Sequence, residues 1–141
     1  MSTRDTVNEF LQRFGEGEAA AIVELFADDV DFLCAGSESV PWIRPRRTAA
    51  DMEDFFATMS AAFVPEERAV SLSLVLVEED EAVLMGQVSQ RLRSNGVKFS
   101  SPFALRLSVI DGKISRYHVY EDSLSIANAV AGEPAEIAVR A

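Results

Sequence analysis

A chain of 141 residues with 48% hydrophobic and 26% charged side chains is an ordinary globular composition. At this length one domain is expected over residues 1–141, hiding roughly 68% of the surface that its unfolded form exposes. The net charge of −10 is the wrong sign for a surface that tracks phosphates, so no nucleic-acid partner is expected. The single Cys34 excludes an internal disulfide and a multi-cysteine zinc site.

The first residues, MSTRDTVNEFLQRF, carry charges where a secretory signal needs an apolar core. No apolar run reaches the roughly 18 residues of a membrane span. A cytoplasmic protein with no membrane partner is therefore expected. In Thr3 to Phe14 the apolar Val7, Phe10, Leu11 and Phe14 recur at helix spacing, and Gly15 and Gly17 end the run. A short second helix follows, with Ala19, Ile22, Val23 and Phe26 on one face. DDVDFLC then alternates as a strand, with Val30, Phe32 and Cys34 on one side and Asp31 and Leu33 on the other. Gly36, Pro41 and Pro45 make Ala35 to Arg47 a loop or a broken edge strand.

Thr48 and Asp51 suggest a capping arrangement at the clearest helix, whose stripe is Met52, Phe55, Phe56, Met59 and Phe63, with Pro65 as the stop. The period then changes from 3.6 to 2. Val70 to Val77, Ala82 to Arg93, Val97 to Ile110 and Lys113 to Tyr120 are predicted strands, joined at Glu79-Asp80, Asn95-Gly96 and Asp111-Gly112. The two pairs ending in Gly are hairpin signals, since they supply the positive φ of tight turns, so an antiparallel meander is expected. Asp122 is a good N-cap for a last helix that ends at Gly132, and the tail from Glu133 should be loose.

The predicted fold class is α+β: a cone-shaped, curved antiparallel sheet packed on three helices, with a C-terminal helix. Helices can cover one face of such a meander, and Phe99, Phe103, Leu105, Leu107 and Val109 supply its apolar residues. The concave side should end in an apolar pocket. The other face holds Ser100, Ala104, Arg106 and Ser108, with Arg91 and Arg93 as further candidates. Between Ala82 and Ile110 there is no Asp or Glu, while Arg91, Arg93, Lys98 and Arg106 fall within that run. Such segregation fits a homodimer formed through the outer sheet face; the strand's general disfavour for acidic residues explains it equally well.

The element order resembles the SnoaL-like and ketosteroid-isomerase-like branch of the nuclear transport factor two superfamily over nearly the whole chain. The residues that carry the resemblance are Phe26-Ala27-Asp28-Asp29-Val30, Pro41-Trp42, Phe55-Phe56 and the run from Asp111 to Asp122, DGKISRYHVYED. The resemblance implies a cone-shaped α+β barrel that is often dimeric. It settles fold better than function, because its members include cyclases, isomerases, dehydratases, epoxide hydrolases and domains without catalysis. Matching these motifs puts Cys34 where a ketosteroid isomerase has its carboxylate base and Phe10 where it has its Tyr. The second acid would fall between Phe103 and Leu105, where no carboxylate exists. The Asp of family epoxide hydrolases aligns with Val119, and the Asp of their Arg-x-Asp is absent from Gln90-Arg91-Leu92-Arg93. Neither mechanism is expected.

The looser polyketide-cyclase-like chemistry remains, in which a carboxylate or His moves a proton beside a carbonyl in an apolar pocket. Alignment on the final strand favours Tyr117, Val119 and Glu121 inward and Arg116, His118 and Tyr120 outward. Glu121 is the candidate proton carrier, because an apolar pocket would raise its pKa; a solvated rim charge is the competing reading. His118, the one histidine, is the reserve should the register shift, against a place in a dimer interface or on a wet sheet face. Asp122 is explained as a helix cap. Phe32, Cys34, Trp42, Phe56, Phe103, Tyr117 and Val119 are expected to shape the pocket. Trp42 offers either a flat face at its mouth or a plug between loop and core, and Cys34 is expected to be an inert buried thiol. Arg44, Arg46 and Arg47 could receive a ligand anion or could pair with Asp51, Glu53 and Asp54. Which face Met85 and Gln87 occupy is left open.

The expected function is a SnoaL-like small-molecule enzyme, with isomerase or cyclase-type proton transfer on a small apolar carbonyl ligand and no cofactor or metal. The alternative is a ligand-binding or dimeric association module of the same fold without chemistry.

Overall fold

The N-terminal helix is fixed by two reciprocal bonds: Asp5 N–H donates to Ser2 Oγ at 3.1 Å, and Ser2 N–H donates to the Asp5 carboxylate at 3.2 Å. In the computed structural model, which describes residues 1–133, this helix, α1, spans Thr3–Glu16 and ends on Gly17 at φ 85°. The short α2 is Ala19–Val23. Phe26 does not continue its face. Leu25 C=O accepts from Ile114 N–H at 2.8 Å and Phe26 pairs with Ile114, so the final strand captures the chain and Phe26 opens β1, Phe26–Cys34. In β1 Val30 and Cys34 are buried and Phe32 half-buried, with Asp31 and Leu33 outward, as the alternation predicts.

Residues 35–47 form no strand, yet Val40, Trp42 and Arg46 are buried there. Thr48 caps α3, Ala49–Ala62: Asp51 N–H donates to Thr48 Oγ1 at 3.1 Å, and the Asp51 carboxylate accepts from the amides of Thr48 and Arg47. Met52, Phe55 and Phe56 face the core. The stripe's last member, Phe63, is extended and bridges Leu92 instead of continuing the helix. A single 3-10 turn at Pro65–Glu67 leads into the sheet.

The four predicted meander strands are β2 (Ala69–Glu78), β3 (Glu81–Arg91), β4 (Lys98–Ile110) and β5 (Lys113–Glu121). Strand order is β1-β5-β4-β3-β2, an unclosed sheet. It is antiparallel except that β1 lies parallel to β5, an edge that the meander pattern did not reveal. Register shifts at Phe26/Asp31, Leu72/Leu74 and Ser108/Val109 mark bulges, which bend strands and add twist. At the second of these Gly86 is required, since a Cβ there would run into the Ser71 carbonyl where β2 crosses.

Two joints are tight turns, with Glu79 at φ 52° and Asp111-Gly112 at φ 52° and 74°. The Asn95-Gly96 joint is longer than a two-residue hairpin. The last ladder pair is Arg91 with Lys98; Leu92 bridges Phe63 while its N–H still donates to Val97 C=O at 2.9 Å, and both strands stop short of the predicted Arg93 and Val97. Asn95 Nδ2 donates to Ala129 C=O at 2.9 Å and ties this loop to α4, Ser123–Val130, which Asp122 caps through Ser125 N–H at 3.1 Å. The loose tail expected from Glu133 onward lies almost wholly outside the described residues.

The inner face of β4 is buried at Phe99, Leu105, Leu107 and Val109 and half-buried at Phe103. It packs with the inward residues of α1, α3 and β1 into one hydrophobic cluster. The outer face carries Met85 and Gln87, whose side is now defined by pairing with Ala104 and Pro102. No described helix is long and apolar enough to cross a membrane.

Candidate active site

Because β5 alternates, its inward residues are Tyr117, Val119 and Glu121, and the bend of the sheet holds them against α1 and α3. Between these elements lies a cavity of about 250 Å³. Cys34, Trp42, Phe56, Phe103, Tyr117, Val119 and Glu121 all border it. Phe32 does not: its ring sits 5.0 Å from Phe55 and 6.1 Å from Tyr117, supporting the wall from behind. His118 is also away from it, on the outer face beside Leu33, with Nε2 3.0 Å from the Asp31 carboxylate. The register leaves no route for that ring into the cavity, which removes His118 as the reserve proton carrier.

Trp42 is 3% exposed and packs 5.1 Å from the Phe63 ring, so it is a plug that also borders the cavity. Arg46 is held in the protein through both terminal nitrogens, while its buried Nε has no partner among the described residues. Its guanidinium binds Asp54 at 2.8 Å and the Asp51 and Trp42 carbonyls, and it lies 5.3 Å from the Phe55 ring centre. Arg44 turns back onto the Pro41 carbonyl. Of the loop cations, Arg46 thus takes the protein-partner role.

Among the described residues no hydrogen bond or ion pair reaches the Glu121 carboxylate. Burial alone pushes its pKa up to about 7. The neighbouring Cys34 thiol is pushed up to about 12, by burial first and the nearby Glu121 charge second. Burial, Cys34 and Glu121 together hold the Tyr117 phenol well above its ordinary value. Near neutrality the cavity therefore contains a protonated thiol, a protonated phenol and one carboxylate able to exchange a proton. Tyr117 Oη has no protein partner among the described residues, which leaves its donor for a ligand oxygen. Among the described residues no group of three His, Cys, Asp or Glu side chains converges as metal ligands would.

Of the α1 contribution, the resemblance had pointed only to Phe10, at the position of a ketosteroid isomerase Tyr. Phe10, Leu11 and Phe14 line the cavity from their helix stripe, and Arg68, Val70, Leu72 and Gln90 line it near the start of β2. The α1 stripe was visible as apolar periodicity, but nothing local separates a cavity wall from solid core. Arg68 gave no sequence signal at all.

A curved, unclosed sheet wrapped on helices around an apolar cavity gives the molecule a cone-shaped α+β architecture. Residues 7–117 match the SnoaL-like domain family, and the chain belongs to it. Solved structures of the same fold include an NTF2-like protein from Burkholderia xenovorans, 18% identical, with a TM-score of 0.76 over 92% of this chain and 98% of that one. Another is a Catenulispora acidiphila protein with a ketosteroid isomerase-like fold in complex with trimethylamine, 18% identical, TM-score 0.72, over 93% and 95%. TerC co-crystallized with polyporic acid is similar at 14% identity, TM-score 0.76, over 92% and 98%. No curated protein sequence matches the chain. The family is one of small-molecule binding or isomerase-type domains.

Proposed function

We propose that the protein is a SnoaL-type enzyme that moves a proton on a small apolar carbonyl compound held in the cone, with Glu121 as the carrier. The observation that carries this is a carboxylate without a partner among the described residues in an apolar cavity, its pKa raised to about 7 by burial. A base poised near the working pH abstracts a proton beside a carbonyl and can return it to another carbon, giving an isomer or a closed ring. Tyr117 Oη would donate to the carbonyl oxygen as negative charge develops there. Cys34, Trp42, Phe56, Phe103 and Val119 would hold the apolar body, with Phe32 fixing the Tyr117 ring from behind. No cofactor or metal enters this chemistry. The solved relatives with trimethylamine and polyporic acid show that this fold is crystallised with small molecules.

The test follows Trp42 fluorescence and product mass while the protein is titrated with polycyclic ketones, aromatic polyketide mimics and small terpenoids. Saturable quenching with a new isomer or mass is expected, and E121Q should bind but not turn over. Unchanged turnover in E121Q would end the assignment.

A non-catalytic binding module is the second reading. It is favoured by Phe10 and the stretch from Phe103 to Leu105, which offer only apolar side chains where the resemblance would put a ketosteroid isomerase's polar partners for its oxyanion. Saturable quenching with every ligand unchanged would select it. In either reading the proposed protein partner is a second copy of the chain. Tyr120, Ala104, Met85 and Leu74 form an apolar row across the outer face. Arg106 with Glu81 and Arg116 with Asp31 lie on the same face. A patch with both charges around an apolar row can be self-complementary across a two-fold axis. Sedimentation should give a dimer, and a monomer at micromolar concentration would remove that partner.

A further inference from the structure

The cavity is not uniform from end to end. Cys34, Tyr117 and Val119 are at most 8% exposed, whereas Val70 and Leu72 line the same space at 44% and 41% exposure. The mouth therefore lies where the start of β2 meets the C-terminal end of α1. One cation stands there. Arg68 borders the cavity half-buried, its guanidinium 4.8 Å from the Phe14 ring centre, and it donates to Phe14 C=O at 3.3 Å.

Among the described residues, the other buried or half-buried arginines each have a carboxylate: Arg13 with Glu9 and Glu24, Arg46 with Asp54, Arg91 with Glu67, and Arg116 with Asp31. Arg68 has none among the described residues, in a chain of net charge −10. Burial with nothing to offset it lowers its pKa. The carbonyl end of α1 takes one of its five N–H donors and leaves the rest without an acceptor among the described residues. Glu16 also borders the mouth, but it is exposed and not within ion-pair distance of the guanidinium.

Arg68 and Glu121 occupy opposite ends of the space. Glu121 pairs with Phe103 of β4, while Arg68 precedes Ala69, which pairs through Ser89 with Ser100. This puts Arg68 level with Phe99, four residues along β4, or about 13 Å. We propose that Arg68 anchors an anionic oxygen group, such as a carboxylate, on the ligand end remote from the deep carboxylate, so that the ligand class is an apolar ring compound with an acidic tail. This rests on the cavity being the ligand site and names what enters it. A guanidinium fork suits such a group because it offers paired, charge-assisted donors.

The test uses two probes that share one apolar body. They are 8-anilinonaphthalene-1-sulfonate and its uncharged counterpart N-phenyl-1-naphthylamine, both read by quenching of Trp42. Wild type should hold the anionic probe more tightly. R68Q should weaken it about tenfold while shifting the neutral probe less than about twofold, as expected for loss of a charge-assisted contact. R68K should recover part of the loss. Equal weakening of both probes in R68Q would make Arg68 a packing residue and overturn the inference, as would an anionic probe indifferent to R68Q. In those cases the neutral probe still binds wild type and the cavity reading stands. If neither probe quenches Trp42, cavity and anchor fall together.

Discussion

On the inner face of the sheet the Glu121 carboxylate meets no cation among the described residues, and burial raises its pKa to about 7. On the outer face Asp31 meets His118 at 3.0 Å and Arg116 at 2.9 Å, and its pKa falls below the ordinary value, through the His118 ring first and the Arg116 guanidinium next. The strand β5 serves both, sending Tyr117, Val119 and Glu121 one way and Arg116, His118 and Tyr120 the other. What differs is the surroundings. Solvent and fixed cations stabilise the charged form outside, and apolar walls penalise it inside. A carboxylate becomes a proton carrier or a permanent anion according to which side of one strand it leaves.

The largest effect should come from removing the inner carboxylate. E121Q is expected to lower kcat at least about a hundredfold, the scale of a lost acid–base group. In wild type kcat/KM should rise through a limb near pH 7 as Glu121 ionises, and that limb should vanish in the variant. A wild-type profile flat between pH 5 and 9 would show that the inner face is not chemically distinct from the outer one.

The same substitution should act on stability with a definite sign. The folded state binds the Glu121 proton more tightly than the unfolded chain does. Its contribution is therefore fully present below pH 4.5 and lost as pH rises through about 7. E121Q cannot ionise, so it should be more stable than wild type at pH 8, by up to about 3 kcal/mol, and nearly equal at pH 4. Urea unfolding at the two pH values measures this. An E121Q variant that is less stable at pH 8 would mean that the carboxylate has a partner in solution.

Curvature is what separates the faces, and Gly86 is where it can be attacked. G86A forces a methyl group against the Ser71 carbonyl and should cost about 2 kcal/mol, with weaker probe binding because β2 carries the mouth. Unchanged stability would show that β2 can slide at its bulge. The smallest effect is expected outside. D31N removes an exposed, solvent-screened pair and should cost less than about 1 kcal/mol. That difference should fade as pH falls below the ordinary aspartate range, because Asp31 stabilises only while ionised. Ligand binding should not change. If D31N altered turnover, the two faces would be coupled through β5.

Much of the fold was legible because its signals are local. The Thr48 and Asp51 box, the Asp122 cap and the Asp111-Gly112 turn each operate within a few residues, and all three are observed. The failures share a cause. Phe26 has helix spacing, but the distant Ile114 claims its backbone; Arg93 lies in a strand pattern, but its N–H donates to Ala62 C=O at 2.8 Å instead of across the hairpin. At the site, alternation put Tyr117, Val119 and Glu121 on one face and His118 on the other. It also put Phe32 on the inner face, where the chain does place it, one layer behind the wall because Phe55 and Tyr117 stand in front.

The sequence by itself determined the α+β class, the order of the elements, the antiparallel meander and the placing of Glu121 and His118 on opposite faces of β5, since periodicity and turn chemistry are properties of neighbouring residues; which of those faces is the inner one was what the family resemblance implied. The tertiary structure alone decided that β1 lies parallel to β5 and that, among the described residues, Glu121 has no partner and Arg68 stands unpaired at the mouth. Desolvation and ion pairing are set by which remote segments arrive at a side chain, and no stretch of sequence carries that information within itself.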